Sequence, residues 1–156
     1  MLLGLISLVT LLLSACAQAP ATPCVQATLD PAKESMVGLR STIKGQSIFI
    51  QITSQAVGCD DTLAMGQVAV LGPSWLVVYN DDGKGKPGDI LGQLAVDKGL
   101  TVGQKITIDA SKVTDYMFII LHTDEGEIGK FEFPGVDVPL LDDYRAEFLL
   151  RFRVHK

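Results

Sequence analysis

The segment Ala146–Val154, with the sequence AEFLLRFRV, constrains the fold more than any other part of the chain. Every second residue from Ala146 onward is apolar, Glu147, Arg151 and Arg153 lie between them, and Leu149 alone breaks the alternation. Because successive side chains of a β-strand point to opposite faces, this period of two predicts a strand with one buried and one solvated face.

Six further apolar runs of strand length precede this segment, with turn residues between them and no long 3.6-residue periodicity. Together the seven runs predict an all-β fold, an immunoglobulin-like antiparallel β-sandwich of about seven strands. The run Trp75–Tyr79 is almost continuously apolar, which indicates a strand buried on both faces. Asp30–Lys44 mixes charged and small residues, and we expect an irregular region with one helical turn near Pro31–Met36. The six runs are Ser47–Thr53, Leu63–Leu71, Trp75–Tyr79, Ile90–Val96, Gln104–Asp109 and Tyr116–Leu121.

The amino terminus is an uncharged apolar segment that is too short to span a membrane as a helix. It ends in Leu13-Ser14-Ala15-Cys16, which resembles the bacterial lipobox, where a peptidase cuts before a cysteine that carries diacylglycerol. The pattern therefore predicts a lipoprotein signal peptide over residues 1–15, lipid attachment at Cys16, a lipidated tether over 16–23 and one domain over 24–156. The alternative is an ordinary secretory signal cut near Ala15 or Ala19.

The charge of the chain excludes one class of partner and favours a mode of membrane attachment. A formal net charge of −5 without a basic cluster gives no basis for binding nucleic acid, whose phosphates require Lys or Arg. Membrane association is then expected from the acyl chains rather than from a basic patch. We expect a membrane-anchored lipoprotein of the cell envelope that faces the periplasm or the exterior.

Two cysteines remain if Cys16 is acylated. Cys24 and Cys59 form an even pair in an oxidising compartment, which favours a disulfide. Closing this loop would stabilise the fold by about 3–4 kcal/mol in the chain-entropy model. Two free thiols or a cysteine-based metal site are the alternatives.

The stretch that begins Leu121-His122-Thr123-Asp124 gathers candidate chemical groups at the end of a predicted strand. Asp124 could accept the imidazole N–H of His122, or the two side chains could share a metal ion. The interpretation that we favour is structural: His122 and Asp124 tie a loop to the strand while Phe131 packs on the core. The chain has no Gly-x-Ser-x-Gly motif and only one further histidine, so we expect no enzyme and no cofactor.

The turn Asn80–Gly88 is the other acidic segment. Asn80, Asp82 and Gly85 fit an EF-hand calcium loop, but Lys84 and Leu91 occupy positions that the loop reserves for ligands. An acidic, solvated turn is the favoured interpretation, with some other calcium geometry as the alternative.

Trp75 to Val78 and Gly129 to Gly135 are two of several blocks of the chain that resemble an uncharacterised domain family of envelope proteins from halophilic archaea and some bacterial lipoproteins. The resemblance covers residues 66–154, and it implies a β-sandwich surface module without implying an activity. At Tyr79 many members carry a second histidine, so a two-histidine metal site is not expected here. The matching residues are Trp75 to Val78, Pro87, Gly88, Leu91, Gly92, Leu121, His122, Asp124, Gly129 to Gly135, Asp137 and Pro139.

The leading hypothesis is a lipid-anchored extracytoplasmic β-sandwich with a binding or structural role in the cell envelope. Its partners would be the membrane, through the anchor, and an envelope protein or polysaccharide. The alternative is an envelope lipoprotein that binds or delivers a metal through His122 and nearby acidic residues.

Overall fold

A computed structural model describes residues 35–155 of the chain. In this range the chain is built from strands joined by turns, with one short 3-10 turn at Ala110–Lys112, which confirms the predicted all-β fold. No helix within residues 35–155 is long and apolar enough to cross a membrane. The strands are β1 Met36–Ile43, β2 Gln46–Thr53, β3 Gln55–Ala56, β4 Thr62–Ala64, β5 Gln67–Val70, β6 Ser74–Asp81, β7 Pro87–Val96, β8 Gly99–Val102, β9 Lys105–Thr107, β10 Tyr116–Thr123 and β11 Leu149–His155.

The strands form three sheets. A four-stranded sheet has the order β1-β2-β5-β8, a five-stranded sheet has the order β3-β11-β10-β6-β7, and β4 pairs with β9. All these pairs are antiparallel except β3 with β11, which are parallel. One continuous hydrophobic core joins the inward side chains of the two larger sheets. The β-sandwich architecture and its immunoglobulin-like strand arrangement stay predictions.

The residues before β2 differ from the expectation. Met36–Ile43 is a strand that pairs along its whole length with β2, so the irregular region and helical turn predicted there are wrong for this segment. Val37 and Leu39 pack against the core, whereas Gly38 and Arg40, which alternate with them, are exposed. The alternation is present, but only two of the first five residues are large apolar ones that face the core, which leaves a weak signal. Residues 30–34 lie outside the described part of the chain.

The run Leu63–Leu71 was predicted as one strand and forms two. Thr62–Ala64 pairs with β9, and Gln67–Val70 pairs with β2 and β8. The chain changes sheets at Gly66, where an added Cβ would lie 2.7 Å from the carbonyl oxygen of Gln51. Only glycine allows the two backbones to approach this closely, so an apolar run alone does not reveal the break. β8 and the two-residue β3 were also missed.

The prediction for Trp75–Tyr79 is confirmed, because all five side chains are buried. One face of β6 packs in the main core. The other face forms a second cluster with Phe118 and Ile120 of β10, against which Phe131 and Leu149 pack. Leu149 breaks the alternation of the last strand because it contributes to this second cluster.

Candidate functional site

The candidate site lies on the outer face of the five-stranded sheet, beneath the segment that joins β10 to β11. This joining segment, residues 124–148, runs back along the end of β10 through an isolated bridge between His122 and Pro139, and a second bridge, between Leu141 and Glu147, closes a turn within the segment. Phe131 from the segment packs 5.4 Å from the ring of Trp75, centroid to centroid. The segment therefore covers the sheet face that carries His122.

His122 is completely buried, and both of its ring nitrogens have protein partners. Nδ1 lies 3.1 Å from the carbonyl oxygen of Asp137, and Nε2 lies 2.9 Å from the hydroxyl oxygen of Tyr79. A carbonyl oxygen can only accept, so Nδ1 carries the proton and donates it. Nε2 then has a lone pair, and the Tyr79 hydroxyl donates to it. The two contacts select one neutral tautomer of the imidazole.

Burial keeps both members of this pair uncharged. It lowers the pKa of His122, although the hydrogen bond to the carbonyl of Asp137 and nearby carboxylates act in the opposite direction. Burial, with a smaller effect from the charge of Glu147, raises the pKa of Tyr79 to about 12. At neutral pH the phenol therefore keeps its proton and donates it to an unprotonated Nε2.

Aromatic rings close the remaining sides of the imidazole. Phe133 lies edge-on at 4.9 Å and Phe131 edge-on at 5.8 Å, measured between ring centroids. The Tyr79 ring is nearly parallel to the imidazole at 6.1 Å. A histidine enclosed in this way contacts protein rather than solvent.

Asp137 organises the joining segment, and its part was not predicted beyond its place in the family resemblance. Its side chain is fully buried. Oδ1 accepts the amide of Glu125 at 2.8 Å, and Oδ2 accepts the amide of Glu132 at 2.6 Å. With its carbonyl bound to His122, Asp137 connects both arms of the loop to the sheet. A short acidic residue between Val136 and Val138 was the sequence signal that could have marked it.

Asp124 has a role separate from His122. Its carboxylate oxygens lie 3.2 and 3.0 Å from the amide of Gly129, which donates to them. The expectation that Asp124 accepts the imidazole N–H is wrong, because the carbonyl of Asp137 takes that proton. The favoured interpretation holds for two of its three residues: His122 ties the loop to the strand and Phe131 packs on the second cluster, whereas the Asp124 side chain bonds only within the loop.

The residues around His122 do not suit a metal ion. Its one lone pair, on Nε2, accepts from Tyr79, the position where the family resemblance would place a second histidine. A metal at Nε2 would have to displace that hydroxyl inside a closed aromatic enclosure. Within residues 35–155 no group of three His, Cys, Asp or Glu side chains is placed to hold a metal ion.

The acidic turn after β6 is satisfied by its own backbone. Oδ1 of Asp81 accepts the amides of Gly83 and Gly85, and Oδ1 of Asp82 accepts those of Lys84 and Lys86. These amide hydrogen bonds lower the pKa of Asp82. The geometry is that of a turn stabilised by carboxylates, which supports the favoured interpretation of this segment.

Of the remaining predicted sites, only Cys59 lies within the described range. Cys59 is exposed in the turn between β3 and β4. Its predicted disulfide partner, Cys24, lies outside the described residues, as do the lipid-attachment residue Cys16, the signal peptide and the tether. The disulfide and the lipid anchor stay predictions.

Comparison with known proteins gives no relative. No family model matches the chain, and neither the curated proteins nor the solved structures contain a significant match.

Proposed function

We propose that the chain is a lipid-anchored, extracytoplasmic binding module of the cell envelope rather than an enzyme. The anchor is the acylated Cys16 of the lipobox-like Leu-Ser-Ala-Cys sequence, and the short Ala- and Pro-rich tether places the domain close to the membrane surface. The partner is an envelope protein or polysaccharide that contacts the joining segment, residues 124–148.

The observation that carries this proposal is that the hydrogen bonds of His122 hold the joining segment against the sheet. His122 lies on β10, and its two hydrogen bonds link this strand to Tyr79 of β6 and to Asp137 in the joining segment. Asp137 in turn fixes the amides of Glu125 and Glu132. A loop held at this many points loses little conformational entropy when a partner binds to it. Such preorganisation suits recognition.

The outer surface of the same loop carries the chemistry that a partner would contact. Clusters of exposed apolar side chains are rare on the surfaces of soluble proteins, and where they occur they commonly mark interaction sites. Lys130, which pairs with Glu127 and Glu132 at 3.3 Å, adds a polar neighbour. The exposed large hydrophobic side chains of this loop are Ile128, Phe133, Val136, Val138 and, nearer β11, Tyr144.

The anchor is tested with Cys16→Ser in the native host. We expect loss of acyl labelling and release of the chain from the membrane fraction. Unchanged partitioning of the variant would contradict the anchor.

The recognition surface is tested by photo-crosslinking in cells. A photoreactive residue at Val136 or Ile128 should give a discrete crosslinked product. The same residue at the exposed Lys84 is the matched control, because Lys84 lies in the turn after β6 and the loop begins at the opposite end of that strand, where Thr123 pairs with Ser74. Equal crosslinking from Lys84, or none from Val136 and Ile128, would contradict the role of the loop.

A further inference from the structure

The four-stranded sheet β1-β2-β5-β8 has one face that points away from the hydrophobic core. Ile48, Ile50 and Ile52 of β2 are buried in the core, and alternate side chains of a strand point to opposite sides, so the residues between them point outward. None of the residues on this outward face is acidic, although the chain as a whole has a formal net charge of −5. The strand registers place these residues on the outward face: Met36, Gly38, Arg40 and Thr42 of β1; Ser47, Phe49, Gln51 and Thr53 of β2; Gln67 and Ala69 of β5; and Leu100 and Val102 of β8.

Arg40 is the one charged residue on the outward face, and its side chain is held in place. The guanidinium carbon lies 4.7 Å from the centroid of the Phe49 ring, and Nη1 donates to Oγ of Ser47 at 3.0 Å. No carboxylate within residues 35–155 forms an ion pair with Arg40. A guanidinium has five N–H donors in a planar fork that matches a carboxylate, and most of these donors remain available. Arg40 is therefore a positioned donor group for an anionic ligand.

Two glutamine amides lie side by side next to Arg40. Gln51 is in register with Gly38 on one side and with Gln67 on the other. Nε2 of Gln51 donates to Sδ of Met36, and within the described range its Oε1 and the whole side-chain amide of Gln67 have no hydrogen-bond partner. A carboxamide can both donate and accept, as a hydroxyl group does, whereas an inorganic anion can only accept. The pair of amides therefore suits hydroxyl groups beside an anion.

Gly38 leaves room for a ligand beside these groups. Gly38 has no side chain, and it lines a depression of about 250 Å³ together with Arg40, Phe49, Gln51 and Gln67. This volume lies just below the usual range of small-molecule sites, which suits one ring of a longer polymer. The side chain of Phe49 gives the depression an apolar wall for the C–H groups of such a ring.

We propose that the outward face binds an acidic polysaccharide, at a site separate from the joining segment. Arg40 pairs with the carboxylate of one sugar, and the amides of Gln51 and Gln67 hydrogen-bond sugar hydroxyls. Charge complementarity favours this occupant over a neutral glycan, because the face has one unpaired cation and no acid. At physiological ionic strength the screening length is about 8 Å, so charges on the face act on the ligand more strongly than the net charge of the chain.

The proposal is tested by ¹H–¹⁵N NMR of the purified full-length chain in detergent, with hexagalacturonate as the probe. The side-chain N–H resonances of Arg40, Gln51 and Gln67 should shift as the probe is added, and the backbone amides of residues 124–148 should not. The methyl ester of hexagalacturonate has the same sugars without the charge, and hexaglutamate has side-chain carboxylates without sugars. Both should bind at least tenfold more weakly than hexagalacturonate.

Charge-matched variants separate the depression from general electrostatics. Gln67→Glu adds a carboxylate to the depression and should raise the dissociation constant of the probe at least tenfold, whereas Gln93→Glu adds the same charge at an exposed residue of β7 and should leave it unchanged. In the same way, Arg40→Gln should weaken binding at least tenfold, and Arg153→Gln, at an exposed arginine of β11, should not weaken it. Circular dichroism checks that all four variants retain the strand content of the wild type.

Three results would each overturn the proposal: no shift of these side chains at millimolar probe, equal binding of the ester or of hexaglutamate, or equal losses in a variant and its matched control. Shifts confined to residues 124–148 would overturn it as well, because they would assign polysaccharide binding to the joining segment.

Discussion

The hydroxyl oxygen of Tyr79 lies 2.9 Å from Nε2 of His122, and this contact joins β6 to β10 in the second core. The imidazole is uncharged and accepts from the phenol, while its other nitrogen donates to the carbonyl of Asp137. A histidine that the sequence marked as a candidate ligand thus connects the sheet with the loop above it.

Tyr79→Phe removes the donor to Nε2 and leaves that nitrogen buried without a partner. The loss of one partner from a buried hydrogen bond costs about 1–3 kcal/mol, so we expect the free energy of unfolding to fall by that amount. Denaturant titration measures it. Tyr144→Phe is the control, since Tyr144 is 82% exposed, and it should change stability by less than about 0.5 kcal/mol. Equal effects of the two substitutions would contradict the importance of the contact.

The stability of the domain should decrease below about pH 6.5, the usual pKa of an exposed histidine. Burial lowers the pKa of His122 in the folded state, so the unfolded chain binds the proton more readily. The stabilisation is complete above the unfolded pKa and is lost as the pH falls toward the folded pKa, by at most about 1.4 kcal/mol per pH unit.

The matched variant for this pH dependence is His122→Gln, which retains His155 and all carboxylates. The difference in stability between wild type and His122→Gln should shrink steadily from pH 7 to pH 5. The carboxylates with lowered pKa values, such as Asp82, titrate at lower pH and do not change the stability between pH 7 and pH 5. A constant difference across the window would contradict a depressed pKa for His122.

Asp137→Ala should loosen the joining segment because it removes the acceptors of two amides. We expect faster hydrogen exchange at the amides of Glu125 and Glu132, by about tenfold for each 1.4 kcal/mol of lost protection. Asp137→Asn keeps one side-chain oxygen as an acceptor. One of the two amides should therefore exchange more slowly in this variant than in Asp137→Ala. Exchange that is unchanged in Asp137→Ala would show that other contacts hold the loop.

Gly92→Ala should destabilise the fold because the added Cβ would overlap the carbonyl oxygen of Thr107, on the strand that packs beside β7. Backbone cannot move away as a flexible side chain does, and overpacking typically costs about 1–3 kcal/mol. Gly72→Ala is the control, since its Cβ would meet no atom within 4 Å. Thermal unfolding of both variants separates the two cases, and equal melting temperatures would contradict the close approach.

The sequence predicts those elements whose signal is local. β2, β6, β10 and most of β11 appear where apolar runs or alternation place them. β1 and β8 were missed because Gly38, Arg40 and Gly99 dilute the apolar pattern, and the break at Gly66 depends on a neighbouring strand. The hydrogen-bond partners of His122 could not be predicted from the sequence for a related reason. Tyr79 is 43 residues away and Asp137 is 15 residues away, and only the tertiary fold brings them together.

We predict that His122 is an enclosed structural residue rather than a metal ligand, and ¹⁵N NMR of its imidazole tests this most directly. At pH 7 the spectrum should show a protonated Nδ1 and an unprotonated, hydrogen-bonded Nε2. Addition of one equivalent of Zn²⁺ or Cu⁺ should leave both resonances unchanged. A proton on Nε2, or a metal-induced shift of that resonance that Tyr79→Phe enhances, would contradict the account.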